Sequence, residues 1–423
     1  MMNIVFISAD DMSYNSTGMS GCEIPDITPN LDKLGQEGVF FKNAHTTVGL
    51  CQPSRSVWMT GLYPWNNGAV GFNCINENIT TLPDILRNKG YTTGIIGKAE
   101  HLCPDHKFKW SQKILGYDKI TGHGKNINAY YNFCKSFFSS VPDPFFLMVN
   151  SHYPHRPFEK KTRYDPSSVK VPGFLPDIPE VRTELAQYYE GVKRCDLTVG
   201  EIIRALKESG KIDNTLIIFT SDHGMSFPFV KANCYHFSSR IPLIWHCPEV
   251  LKPKISDTYV SSVDIMPTIL ELLGLQKTDM DGTSYLNTIK KGSSFKNNAY
   301  TCLCQLWVNR NFQTRAIHNE DYCYIVNFWS NGKNEFIECG CNSESLSMCG
   351  ITRTDMKMHN KIRFREPEEL YNIKNDPFAK TNIASKDIKG KLKMMHLMKN
   401  YAEKSNDQIT KSYLKSIHYK IHI

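Results

Sequence analysis

A cysteine followed closely by an arginine is the most distinctive chemical feature of the sequence. Cys51 opens the run Cys51-Gln52-Pro53-Ser54-Arg55, which continues to Thr60-Gly61. Because proline suits the first turn of a helix, the run predicts Cys51 at a helix N-terminus, where backbone N–H groups favour an anion. Arg55, about one turn later, could neutralise charge there. The run therefore indicates a reactive group beside an anion site, although a buried cysteine before an ordinary helix also fits.

Acidic residues follow two apolar segments of strand length. Ile4 to Ala9 ends in Asp10-Asp11, and Thr215 to Thr220 runs into Ser221-Asp222-His223-Gly224. Adjacent carboxylates repel each other without a cation, and their oxygens suit a hard divalent ion. A turn or a helix cap would explain either pair as well. Asp10, Asp11, Asp222 and His223 are therefore candidate ligands of one metal ion, and three carboxylates favour calcium or magnesium over zinc.

Basic side chains follow other predicted strands. Tyr91 to Ile96 precedes Gly97-Lys98 and then His101, and Phe145 to Val149 precedes a proline-containing loop with His155. Lys231 follows later, on a loop rich in aromatic residues. A lysine and a histidine at a strand end suit an oxyanion site, and His155 could donate a proton to a leaving group. Each of these residues alone is more often a solvated surface residue.

The elements that would position these residues alternate along the chain. Helical patterns from Leu82 to Asn88, Glu180 to Ser209 and Asp264 to Leu273 separate the predicted strands. Strands alternating with helices predict an α/β fold with a mainly parallel sheet. In such a sheet the carboxyl ends of the strands lie at one edge and gather ligand groups.

The pattern changes near residue 295. Shorter alternating segments, such as Tyr300 to Leu306 and Tyr322 to Phe328, predict antiparallel strands, and the lysine-rich stretch from Asp387 to Lys420 predicts one terminal helix. We therefore expect a catalytic domain over residues 1–295. A smaller C-terminal domain of antiparallel strands plus helix, residues 296–423, would complete the substrate pocket.

Composition limits the class of protein. The chain has 423 residues, is 41% hydrophobic and carries a net charge of +8. The basic residues are dispersed, which argues against nucleic acid as a partner, and no apolar run approaches the roughly 20 residues that span a bilayer. Fourteen cysteines with a strand at the start of the chain favour a cytoplasmic setting with mostly free thiols. The cluster of Cys339, Cys341 and Cys349 lacks a standard zinc spacing.

Taken together, these stretches resemble the type I sulfatases of the alkaline-phosphatase superfamily. The order of motifs agrees over about the first 275 residues: Asp-Asp, Cys-x-Pro-Ser-Arg, Gly-Lys before a histidine, Pro-His on a loop, and Ser-Asp-His-Gly. Within that family the closest resemblance is to the sulfamidases, the N-sulfoglucosamine sulfohydrolases. It is carried by Gly94 to Lys98, by Pro154-His155-Arg156 and by Phe219 to Asp222 followed by Phe227-Pro228.

The resemblance implies an alkaline-phosphatase-like large mixed sheet and a formylglycine made from Cys51 by a maturase, whose hydrated aldehyde attacks sulfur. It implies calcium, with magnesium as the alternative, held by Asp10, Asp11, Cys51, Asp222 and His223. Arg55 and Lys98 would hold the hydrate and the sulfate. The residues that would bind sulfate and assist departure of the leaving group are His101, His155 and Lys231.

The chain departs from the sulfamidase pattern at four places, one of which is the lack, near Trp307, of the acidic substrate-contacting residue that sulfamidases place in the second domain. Two residues, Ala99 and Glu100, separate Lys98 from His101 where the family usually has one. His223 stands where sulfamidases usually carry asparagine, although other sulfatases have histidine there. Lys231 stands where they tend to have arginine. The reaction class is thus better supported than the sugar specificity.

Three functions remain open from the sequence: a sulfatase acting on a sulfated or N-sulfated sugar, a phosphonate monoester or phosphodiester hydrolase with the same nucleophile, and a catalytically silent protein that binds sulfated glycan. Specificity is expected from the loop of Lys231 to His236 and from residues near Trp307 to Arg315, where the resemblance fades. Aromatic and cationic residues there could bind a sugar ring and a carboxylate, or could simply pack the domain interface. These residues are Trp307, Arg310, Phe312 and Arg315.

Overall fold

The protein folds into two β-sheets flanked by helices. The structure, a computed structural model, describes residues 1–114, 124–276, 279–293, 295–306, 310–337 and 345–421. The larger sheet contains eight strands: β1 (Asn3–Ala9), β2 (Val39–His45), β3 (Thr92–Ile96), β4 (Gln112–Ile114), β5 (Phe145–Asn150), β6 (Thr215–Ser221), β7 (Leu243–His246) and β8 (Lys254–Ser261). The smaller sheet contains β9 (Asn298–Gln305), β10 (Asn311–Asn319), β11 (Tyr322–Asn327) and β12 (Glu368–Asn372).

The helices cover both faces of the larger sheet and the end of the chain. Within the described ranges they are α1 (Pro29–Gln36), α2 (Cys51–Thr60), α3 (Pro64–Asn67), α4 (Leu82–Arg87), α5 (Asp105–Phe108), α6 (Ile127–Ser140), α7 (Pro179–Glu208), α8 (His236–Ser239), α9 (Ile265–Leu272), α10 (Leu286–Lys291), α11 (Leu346–Thr354), α12 (Met356–Arg363), α13 (Ile388–Lys404) and α14 (Gln408–Ile421). Short 3-10 turns include Ala99–His101. Among the described helices, none combines the length and the apolar character that a membrane span requires.

The larger sheet has the strand order β4-β3-β5-β1-β6-β7-β2-β8. Its neighbouring strands are parallel except at β7, which runs antiparallel to both β6 and β2. The smaller sheet is antiparallel throughout, in the order β12-β11-β10-β9. The α/β fold predicted from the alternating elements is therefore confirmed, including the antiparallel strands near the end of the chain.

Strand β1 lies in the middle of the larger sheet and is buried on both faces. Ile4 and Phe6 point into one apolar cluster, with helix residues such as Trp58 of α2, whereas Val5 and Ile7 point into the other. This second cluster includes α6 and α7 and continues into the smaller sheet at Ile317. Because a strand covered on both faces has no solvent side, the middle of its sequence, Ile4 to Ile7, is entirely apolar. The domain boundary at residues 295–296 stays a prediction.

The predicted single terminal helix is wrong, because the chain forms α13 and α14 with a turn between them. At this turn Asn406 adopts a left-handed conformation with φ of 58°. The next residue, Asp407, is buried, and its carboxylate lies 2.6 Å from the guanidinium of Arg315 on β10. A contact to another element thus overrides the helical pattern of the local sequence.

Most described cysteines are free thiols. Nine that are buried or partly buried are free thiols, and Cys74 and Cys103 form a disulfide. Cys339 and Cys341 of the predicted cysteine cluster lie outside the described residues, and Cys349 is exposed. The cytoplasmic location stays a prediction.

Candidate active site

The candidate site lies at the carboxyl edge of the larger sheet. Ala9 at the end of β1 pairs with Ser221 at the end of β6, so the residues that follow these two strands are neighbours. The backbone N–H of Asp11 donates to Oδ1 of Asp222 at 3.1 Å. The sequence argument from strand ends therefore placed these acids correctly beside one another.

Four side chains converge in front of these strand ends. One potential ligand atom from each of Asp10, Asp11, Cys51 and His223 lies within 4.8 Å of the others. Sγ of Cys51 lies 3.2 Å from Nε2 of His223, which lies 3.3 Å from Oδ1 of Asp11. Nδ1 of His223 lies 2.9 Å from the carbonyl of Gly224 and must carry the proton of that hydrogen bond. Nε2 can therefore present a lone pair to the cluster in the neutral ring.

The electrostatics of the cluster fit a hard divalent cation. Oδ1 of Asp10 is buried and accepts no hydrogen bond from the described residues. Burial, and next the negative charge of Asp10, raise the pKa of Asp222. Asp222, the remaining predicted ligand, lies beside the cluster with Oδ1 3.8 Å from Nε2 of His223. A cation among these carboxylates would satisfy the free oxygen and reduce the repulsion.

Substitution of Asp10 by asparagine should weaken calcium binding by at least about tenfold, because the change removes one anionic oxygen from the cluster. The rise in Tm that calcium produces in the wild type should shrink accordingly, since a ligand stabilises only the form it binds. Elemental analysis and thermal melts at matched calcium concentrations measure both effects.

Asp407→Asn is the matched control, because Asp407 is an equally buried carboxylate that pairs with Arg315 away from the cluster. This variant should lower Tm and leave the calcium content unchanged. Unaltered calcium content and an unaltered calcium-dependent Tm in Asp10→Asn would rule out Asp10 as a ligand.

Helix α2 presents Cys51 and Arg55 to the site from one buried turn. The helix begins at Cys51, as predicted, and all ten of its residues are buried. The guanidinium of Arg55 donates to Asp222 at 2.9 Å, to Asn150 at 2.7 Å and to Ser8 at 3.0 Å. Burial opposes the charge of Arg55, but Asp222 and Asp10 outweigh it and raise the pKa. Arg55 thus connects the ends of β1, β5 and β6.

Sequence reasoning missed Asn150 and Ser8, the other two partners of Arg55. Asn150 ends β5, and its amide also donates to the carbonyl of Gly97 at 2.7 Å. Gly97 has a φ of 76°, and a side chain there would meet the carbonyl of Asn150 at 2.1 Å. A polar residue ending an apolar strand was the available signal, and the same signal had identified Asp10.

Two buried lysines complete the inner surface of the site. Nζ of Lys98 lies 2.6 Å from Oδ2 of Asp10, and Nζ of Lys231 lies 2.8 Å from Oδ1 of Asp11. Both side chains are almost wholly buried. Together with Arg55 they supply three cationic groups next to three carboxylates. Burial opposes the charge of His223, but Asp222 and the other anionic neighbours raise its pKa to about 10 in the metal-free protein, so a divalent cation would displace that proton and leave the pocket with a net positive charge.

The predicted histidines lie around this centre. Nε2 of His155 lies 4.0 Å from Oδ2 of Asp11, and its Nδ1 contacts the carbonyl of Arg156. Burial and the neighbouring Lys231 lower the pKa of His155 to about 4. Burial, then Lys98, lower the pKa of His101 well below its usual value. Both rings are therefore neutral near pH 7.

Two of the residues expected to set specificity, Phe312 and Arg315, have structural contacts. Arg315 is buried against Asp407, and Phe312 packs edge-on against Trp329 and Phe336. Arg310 is exposed, and Trp307 lies outside the described residues. Phe312 therefore packs against other aromatic residues, as the packing alternative predicts. The charge of Arg315 is neutralised by Asp407.

Two known proteins are similar to this chain in sequence. Human N-sulphoglucosamine sulphohydrolase is 33% identical over 308 residues, which cover 64% of this chain and 60% of the human enzyme. An ulvan-active sulfatase of Formosa agariphila is 30% identical over 419 residues, covering 92% of this chain and 78% of the relative.

A solved structure of similar fold is the phosphonate monoester hydrolase of Agrobacterium radiobacter. It superposes with a TM-score of 0.72 at 18% identity, over 99% of this chain and 96% of the hydrolase. The family model for sulfatases matches residues 2–275, which contain every predicted site residue. Membership of this family implies a metal ion and a formylglycine. The chain belongs to the sulfatase family.

Proposed function

We propose that the protein removes sulfate from a terminal sulfated glucosamine, acting on the N-sulfate before the 6-O-sulfate and on short fragments before polymer. The observation that carries the proposal is the buried start of α2, where Cys51 faces His223 and clusters with Asp10 and Asp11, each of which pairs with a lysine. The name of the human relative, N-sulphoglucosamine sulphohydrolase, supports the choice of sugar.

In this proposal the residues of α2 carry the nucleophile and its counter-charge. A formylglycine at position 51, made by a maturase, would hydrate to a geminal diol and so supply the hydroxyl nucleophile. The guanidinium of Arg55 lies one turn away and holds positive charge beneath it, fixed by its bonds to Asp222 and Asn150. Asp10, Asp11, Asp222 and His223 hold the metal ion, with position 51 as a further ligand.

The lysines and histidines serve the sulfate and the leaving group. Lys98 and Lys231 exchange their carboxylate contacts for oxygens of the bound sulfate, which charge-assisted hydrogen bonds favour. Breaking an N–S bond leaves an amine that must gain a proton, and His155 is placed to supply it, with His101 assisting. Burial keeps the pKa of His155 at about 4. The anionic sulfate opposes this effect, so substrate binding promotes the protonated ring.

We also propose that residues 296–423 complete the substrate pocket. The backbone N–H of Cys302 on β9 donates to the carbonyl of Thr47 at 2.8 Å, and Val48 bridges to Cys302. The smaller sheet therefore adjoins the segment that leads directly into Cys51. In this proposal, side chains of the smaller domain border the bound oligosaccharide.

A panel of four substrates tests the proposal. We expect the highest kcat/KM on N-sulfoglucosamine, lower values on glucosamine 6-sulfate and on an aryl sulfate, and the lowest on the phosphonate monoester of the same phenol. The physical reason is that the bound sulfate promotes the protonated form of His155, which can give an amine the proton it needs to leave, whereas phenolate leaves without a proton.

Each alternative has its own outcome in this panel. Hydrolysis of the aryl sulfate but of neither sugar would be consistent with a sulfatase and would contradict the glucosamine proposal. A phosphonate ester hydrolysed faster than its sulfate counterpart would favour the phosphonate hydrolase. Glycan binding without turnover of any substrate, in protein with a verified aldehyde at residue 51, would indicate a silent binding protein.

A further inference from the structure

Three histidines outside the candidate active site form a second cluster of potential ligands. His45 ends β2 of the larger sheet, His236 begins α8 and His318 lies on β10 of the smaller sheet. The ring centroids are 4.9 Å apart for His45 and His318, 5.2 Å for His45 and His236, and 5.9 Å for His236 and His318. One nitrogen of each ring lies within 4.8 Å of a nitrogen of the other two.

The hydrogen bonding of the three rings is incomplete. Nε2 of His45, Nδ1 of His236 and Nδ1 of His318 are buried and have no hydrogen-bond partner among the described residues. Buried polar atoms are nearly always paired, so three orphaned nitrogens in one cluster require an explanation. A cation bound by the rings would supply one.

Hydroxyl groups orient two of the three rings. Nδ1 of His45 lies 2.9 Å from Oγ of Ser239, which in turn donates to the carbonyl of Tyr235. Nε2 of His318 lies 2.9 Å from Oγ1 of Thr301. Because the proton of Ser239 goes to Tyr235, this hydroxyl accepts from Nδ1 of His45 and leaves a lone pair on Nε2, while Thr301 orients the ring of His318, as the outer partners of metal-bound histidines do.

The rings are neutral and can therefore act as ligands. Burial lowers the pKa of His318 to about 3 and lowers the pKa values of His45 and His236 well below the usual value. Arg240, which adds to this effect on His45 and His236, is turned toward the ring of Tyr14, 3.8 Å away, and donates to the carbonyl of Lys42 at 2.6 Å. Histidine binds a metal ion as the neutral imidazole, so these rings can bind an ion without first releasing a proton.

We propose that His45, His236 and His318 form a binding site for a zinc-class divalent metal ion, distinct from the calcium-type site of Asp10 and Asp11. Three imidazoles and no carboxylate suit zinc, at about 2.0–2.1 Å from each nitrogen, far better than calcium. The rings must rotate slightly to reach that distance, and the fourth position is left for water. Because the partly buried His236 borders the cluster, an ion can enter there.

The site would connect segments that are distant in the sequence. Strand β2 belongs to the larger sheet and β10 to the smaller one, and α8 lies on the loop that follows Lys231. A metal ion held by all three would cross-link these segments and raise the stability of the folded chain. Its predicted role is therefore structural.

The test measures zinc binding by full-length protein freed of metal and then saturated with calcium, so that the acidic site is filled. Wild type should bind one equivalent of zinc in competition with a chromophoric chelator and should gain in Tm. His236→Ala, whose ring is only partly buried, should bind at least tenfold more weakly and lose the gain in Tm. His246→Ala is the matched control, since His246 is a buried histidine on β7 outside the cluster.

Zinc affinity in His236→Ala equal to that of the wild type, or no zinc binding by the wild type, would overturn the proposal. Should His236→Ala fail to fold, Thr301→Val provides a second variant that keeps all three rings. It removes the hydroxyl contact to His318 and should weaken zinc binding several-fold. Cobalt in place of zinc adds a spectroscopic check, because tetrahedral nitrogen ligation gives intense visible absorption that His236→Ala should lose.

Discussion

Replacement of Cys51 by alanine should lower kcat/KM by at least about a thousandfold on every substrate that the wild type turns over. The thiol is the only precursor of a nucleophile at the start of α2, and it faces His223 at 3.2 Å. Alanine removes this group without adding volume, so the fold should survive. Far-UV circular dichroism and a thermal melt check the fold, and initial rates check the activity.

Peptide mass measurement links the loss of activity to the modification. Active wild type should contain the aldehyde at residue 51, and the fraction converted should scale with kcat across preparations. Cys247→Ala is the control, because Cys247 is also a buried free thiol but follows β7 at the opposite edge of the sheet. Full activity in Cys51→Ala would end the proposed mechanism.

Substitution of Arg55 by alanine should both inactivate and destabilise the protein. The guanidinium is fully buried and bonds to Asp222, Asn150 and Ser8. Removing one partner of a buried ion pair leaves the other charge uncompensated, which costs about 3–5 kcal/mol. The activity should fall by about a hundredfold or more, since the positive charge below residue 51 is lost. Arg55→Lys should recover part of the charge but not the fork of hydrogen bonds.

A second buried ion pair separates the two effects. Arg315 pairs with Asp407 at 2.6 Å and is as buried as Arg55. Arg315→Ala should therefore lose comparable stability while the folded fraction keeps its kcat and KM. Denaturant unfolding and kinetics on both variants, at a temperature where each remains folded, distinguish them. A large rise of KM in Arg315→Ala would instead indicate that Arg315 binds the substrate.

Sequence patterns predicted the elements that carry the site because those elements have strong local signals. The apolar runs of β1 and β6 end in acids, and parallel strands bring their carboxyl ends to one edge. Helix α7 was expected from Glu180 to Ser209 and is observed from Pro179 to Glu208. Cys51 was expected at a helix start and is observed there.

Features that depend on contacts between distant segments were not predictable in this way. The bond of Arg55 to Asn150 joins residues 95 positions apart. The three-histidine cluster takes one residue each from β2, α8 and β10, none of which has a metal-ligand spacing in the sequence. At the turn between α13 and α14, the ion pair of Asp407 with Arg315 joins residues 92 positions apart.

The complete burial of α2 sets an order of events during the synthesis of the protein. Cys51 is 3% exposed, and its surroundings include Asp222 and His223, which leave the ribosome long after it. Once β6 has paired with β1, another enzyme has no access to the thiol. In the proposed mechanism, oxidation of Cys51 therefore has to precede the closure of the sheet, and the speed of folding would limit how many chains mature. Conditions that slow the pairing of β6 with β1 should raise the fraction of the synthesised protein that is active.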